Sequence, residues 1–156
     1  RDMGPLGARA FFRAAGRGDG SGERTRERTG GRVLGAIPMT YDDFNAFCGA
    51  LPATTYVNQW GGSHVWKVGG RMFAVGGWDD GAPAYTFKVS DIAFEFLRDQ
   101  PGLRPAPYLA SRGLKWIQHF AAPGLADSEL QDYLRESHDI VSRGLTKKLR
   151  AELGFV

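Results

Sequence analysis

The chain has 156 residues, 42% hydrophobic and 24% charged, which is the size and composition of one globular domain. No apolar run reaches the roughly 18–20 residues of a membrane helix, and no secretory signal pattern opens the chain, so the expected location is the cytoplasm, with no membrane partner. Cys48 is the only cysteine, which excludes an intramolecular disulfide and fits a reducing compartment.

The net charge of +3 divides unevenly along the chain. Residues 1–38 carry eight arginines against four acids, whereas the remainder carries 12 basic and 13 acidic residues. The basic character therefore belongs to the first segment. Bulk charge gives the rest no general attraction for nucleic acid, so any attraction must come from a local patch.

Residues 1–38 hold nine glycines, and their apolar residues show no period. Such a segment buries too little surface to offset the entropy of ordering it, so it is read as a disordered leader ahead of a folded domain at 39–156. Three origins stay open. It is a non-native upstream extension with the true start at Met39, a basic arm that touches nucleic acid, or a transit peptide. Four acids and a single serine, Ser21, count against the last.

From Thr40 the texture changes. Thr40 suits an N-cap, Asp42 and Asp43 suit a first helical turn, and Tyr41, Phe44, Phe47, Cys48 and Leu51 recur at helical spacing. Leu51-Pro52 ends that helix. Thr54 to Gln59 is rich in β-branched and aromatic residues and reads as a strand. His64 to Val68 and Arg71 to Val75 flank Gly69-Gly70, a pair that accepts the positive φ of a hairpin turn. Gly76 to Gly81 forms a second turn region. Ala84 to Val89 alternates as a half-buried strand should.

Ser90 caps a short helix, Asp91 to Arg98, whose apolar residues are Ile92, Phe94, Phe96 and Leu97. Pro101-Gly102 closes it. Residues 103–113 read as an extended loop and Leu114 to Phe120 as a strand. A helix starts at Asp127 or Ser128 and runs to about Arg143, with Gln131 placed to complete a capping box from Ser128. Its buried stripe is Leu130, Tyr133, Leu134, His138 and Val141. Thr146 caps a last helix, Lys147 to Leu153.

This order resembles the MmcQ/YjbR family. The resemblance rests on the hairpin Val65-Trp66-Lys67-Val68-Gly69-Gly70-Arg71-Met72-Phe73-Ala74, on Thr86-Phe87-Lys88-Val89 running into Ser90, on Arg104-Pro105-Ala106-Pro107-Tyr108, on Lys115-Trp116-Ile117 and on Leu145-Thr146-Lys147-Lys148. It covers roughly residues 39–154. It implies an α+β fold in which an antiparallel sheet, with a double wing of hairpins, packs against helices in the order α-β-β-β-β-α-β-α-α. It also implies a DNA-binding role, an analogy drawn from the shape of the fold.

The residues offer one basic set. Lys67 lies opposite Trp66 and Val68 in its strand, Lys88 lies opposite Phe87, and Arg71 follows the turn. Arg112 and Lys115 precede Trp116, and Lys147, Lys148 and Arg150 end the chain. A β-ribbon enters a major groove while lysines and arginines neutralise phosphates. The competing reading is the solvated face of an ordinary sheet, balanced by Asp79, Asp80 and Asp91. Trp60 and Trp78 sit in glycine-rich turns and are the expected recognition surface.

His64, His119 and His138 fall on separate elements without ligand spacing, so no metal and no cofactor is expected. Cys48 lies on an apolar stripe and reads as core. No convergent acid, base and nucleophile can be named, so no enzyme is expected. The favoured function is non-enzymatic DNA binding through hairpin and C-terminal cations. The alternative is a protein- or small-ligand-binding module with no nucleic-acid role.

Overall fold

The computed structural model describes residues 39–78 and 83–155. The expectations for residues 1–38 and for Asp79-Asp80 lie outside the described residues. Helix α1 (Tyr41–Gly49) begins as its sequence requires. The Thr40 hydroxyl accepts from the Asp43 N–H at 3.0 Å, and the Asp43 carboxylate accepts from the Thr40 N–H at 3.3 Å. Strands β1 (Thr54–Gln59), β2 (Ser63–Val68), β3 (Arg71–Gly76) and β4 (Tyr85–Lys88) follow. Then come α2 (Asp91–Leu97), β5 (Leu103–Pro105), β6 (Trp116–His119), α3 (Asp127–Arg143) and α4 (Lys147–Leu153).

The α+β class and the element order are as expected, with one addition. Part of the expected extended loop forms an edge strand, β5, and a 3-10 turn at Ala110–Arg112. Leu103 and Pro105 pair with His119 and Ile117, so three residues suffice to join the sheet. The capping box of α3 also differs. Glu129, not Gln131, turns back to accept the Ala126 N–H at 3.0 Å, which moves the cap two residues upstream of Ser128. In α2, Phe94 and Leu97 are buried while Ile92 and Phe96 face solvent.

All neighbouring strands are antiparallel, in the order β1-β2-β3-β4-β6-β5. Their register defines two ends. One end holds the Gly69-Gly70 turn, with Thr54 opposite Val68, and Lys88 opposite Trp116. The other holds Gln59 opposite Ser63, and Tyr85 between Gly76 and His119. We call the first the turn end.

Both faces of the sheet carry apolar residues. Trp66, Val68, Phe73, Phe87 and Ile117 meet Phe44 and Cys48 of α1 and Leu130, Leu134 and Val141 of α3 in the main core. The other face holds a smaller cluster of Val65, Val75, Trp78, Ala106, Leu109 and Trp116. The expected plain solvated face is thus partly occupied. Cys48 is fully buried, and burial pushes its thiol far above the usual range. Native protein at pH 8 is therefore expected to resist iodoacetamide and to be alkylated only after unfolding. Stoichiometric labelling of the folded chain, read by intact mass, would contradict this packing.

Strands β3 and β4 part near the turn end. The last paired residues there are Ala74 and Phe87. Beyond them the Ser137 hydroxyl of α3 donates to the Phe73 carbonyl at 2.7 Å and accepts from the Lys88 N–H at 2.9 Å. One hydroxyl thus supplies partners for both backbone groups. Among the described residues no helix is long and apolar enough to cross a membrane.

Candidate nucleic-acid interface

The strand register gathers the basic residues. Lys67, two residues before the turn, Arg71, just after it, and Lys88 all lie at the turn end. Lys115 joins them, because its carbonyl accepts the Val89 N–H at 3.0 Å beside the Lys88–Trp116 pair. The C-terminal segment arrives by packing. A side chain on Gly69 would meet Leu145 within 2.6 Å, so the hairpin turn rests on the junction of α3 and α4. That contact brings Lys147 and Lys148, both exposed in the first turn of α4, to the same end. Cations from the hairpin and from the last helix, far apart in the chain, become one basic end.

Local chemistry sorts the candidates. Among the described residues, Lys67, Arg71, Lys88, Lys115, Lys147 and Lys148 form no salt bridge. Lys88 Nζ lies 5.9 Å from the centre of the Trp116 ring. Arg150 instead serves the fold. Its guanidinium donates to the Ser142 carbonyl at 2.8 Å and sits over Phe155. That carbonyl, in the last turn of α3, also accepts from the Leu145 N–H at 3.2 Å. Arg112 is exposed in the 3-10 turn. Arg143 is paired with Asp139 at 2.9 Å.

Two acids, Asp43 and Asp127, lie toward the opposite end. Burial chiefly, then Tyr41, and after it Asp127 and Asp43, push the Tyr85 hydroxyl above its ordinary range. Asp127 also acts on His119. Asp91 opens α2 at the turn end.

At the expected tryptophan surface, Trp78 is buried and Trp60 is half-buried. Trp78 is 5% exposed and joins the smaller apolar cluster, with Trp60 packed on it at 5.2 Å between ring centres. Both residues adopt positive φ, 55° for Trp60 and 68° for Trp78. The turns fold the two rings back over the sheet, where burial of large apolar area outweighs the local backbone cost. The glycine-rich context signalled the turn and not the direction of the rings.

No group of three His, Cys, Asp or Glu residues that could hold a metal ion occurs among the described residues. His138 Nε2 donates to the Pro52 carbonyl at 2.8 Å, and His64 hydrogen-bonds Tyr56 at 2.8 Å. Ser137, which fixes the Lys88 backbone, does not stand out in the sequence. Its spacing from Leu134 and Val141 on the buried stripe was the available signal.

Comparison with known proteins agrees with this architecture. The chain is similar to Deinococcus radiodurans protein DR2400, a solved structure of the domain family DUF419, with 27% identity and a TM-score of 0.66. The alignment covers 78% of this chain and 93% of that one. A search of curated proteins found no match. The YjbR family model matches residues 49–140, spanning β1 to β6 and most of α3. The chain belongs to the YjbR family.

Proposed function

We propose that the protein is a non-enzymatic DNA-binding module that grips duplex phosphates with its turn end. The observation that carries this reading is the gathering of Lys67, Arg71, Lys88, Lys115, Lys147 and Lys148 at one end, with no salt bridge among the described residues. Cations without carboxylate partners are ready to replace the counterions of a polyanion. The Gly69-Gly70 turn of the β2–β3 hairpin lies at this end, and a β-ribbon can enter a major groove. Lysine contacts to phosphate give affinity without sequence choice.

Fluorescence anisotropy of a labelled duplex tests the reading. Binding is expected in the micromolar range at low salt, with similar affinity for unrelated sequences. The log–log salt slope is expected at about −4 to −5 if most of the six side chains each neutralise a phosphate. Absence of binding at high micromolar protein and low salt would sink it. So would binding that does not weaken with salt.

A further inference from the structure

Beside the turn end, a cleft of about 470 Å³ opens between α2 and residues 105–115. Its size falls in the range of small-ligand sites. One wall is Phe94, and two cations share its ring. Lys115 Nζ lies 4.8 Å from the ring centre and the Arg98 guanidinium carbon 5.0 Å. Two positive charges held against one ring repel each other. Glu95 offsets Arg98 only from 3.8 Å, and Lys115 has no salt bridge among the described residues. An anionic group reaching either cation would supply a counter-charge.

The rim is apolar and aromatic. Tyr108 and Leu114 are 39% and 40% exposed. Tyr108 stands at φ 74°, a conformation unfavourable for a bulky residue, and its carbonyl accepts from the Ser111 hydroxyl at 2.9 Å. Strained backbone of this kind gathers at ligand clamps, and here it sets an exposed ring at the cleft.

We propose that this cleft binds one nucleotide, with the base against Tyr108 and Leu114 and the phosphate held by Lys115 and Arg98, both of which line it. A flat ring joined to an anion is the chemistry that an aromatic rim beside paired cations selects. Stacking on an aromatic side chain tolerates every base, because each has a π face. The nucleotide comes free from solution or unpaired from a strand. The site shares Lys115 with the duplex face but requires no contact with a duplex.

Calorimetric titration of the full chain with adenosine monophosphate, and separately with a short oligodeoxyadenylate, tests this. At least one probe is expected to bind. Tyr108→Gly removes the ring and suits the left-handed backbone, and it should weaken binding roughly tenfold. Lys115→Gln should do the same, and it keeps the test decisive if the glycine variant does not fold. Binding of the monophosphate identifies the free nucleotide as a ligand; binding of the oligomer alone assigns the unpaired strand. A combined Lys67, Lys88, Lys147 and Lys148 to Gln variant should retain monophosphate or oligomer binding at the cleft while losing duplex affinity, which keeps the two proposals separable. The cleft proposal is overturned if neither probe binds at millimolar concentration, or if binding is unmoved by both single substitutions in folded protein.

Discussion

Ser137→Ala is expected to destabilise the protein by about 2–4 kcal/mol, one of the largest effects available to a change this small. The side chain is fully buried, and its hydroxyl satisfies both the Phe73 carbonyl and the Lys88 N–H. Alanine leaves a buried acceptor and a buried donor, each costing about 1–3 kcal/mol when unpaired, less whatever the strands recover by closing on each other. The shift in Tm should be of order 10 °C. Ser142→Ala is the control. Ser142 is buried too, but its hydroxyl bonds only the Asp139 carbonyl within its own helix, at 3.1 Å. Urea unfolding should separate the two variants, and amide exchange should show Lys88 losing protection only in the first. A loss under about 1 kcal/mol with an unchanged slope would mean that the hydroxyl is not what joins helix to sheet.

Replacing Lys67, Lys88, Lys147 and Lys148 together by glutamine is expected to weaken duplex binding about 100-fold or more at low salt. Each lysine that neutralises a phosphate adds close to one unit of salt slope, so the slope should fall by about 3 to 4. Glutamine keeps most of each side chain, and no salt bridge is broken among the described residues, so unfolding midpoints should stay near those of the parent. Weaker binding with the slope preserved would point to contacts other than these phosphates. An unchanged affinity would place the interface elsewhere.

Much of the fold is legible in the sequence because its signals are local. Thr40, Ser90 and Thr146 each cap the helix expected of them, and Gly69-Gly70 turns the hairpin expected of it. Period-two alternation places Lys67 and Lys88 on the face opposite Trp66 and Phe87, as the register shows. What escapes is set by contacts distant in the chain. Trp78 turns inward because Val65, Val75 and Trp116 offer it an apolar bed. Residues 103–105 become a strand because β6 presents a free edge. Arg150 looks like one more cation until the Ser142 carbonyl claims it. The gathering of Lys147 with Arg71 depends on Leu145 seating under Gly69, which no local pattern announces.

The gathering of cations at one end has a kinetic meaning. Strands of six residues span about 20 Å, so these cations stand well away from Asp43 and Asp127 at the far end of the sheet. On the proposed reading, the field of a duplex acts on this basic end before contact, so that the molecule would arrive turn end first. Orientation gained in flight raises the rate of association more than the strength of the final complex. At 0.1 M salt the field decays over about 10 Å, shorter than the sheet, and the advantage fades as salt rises further.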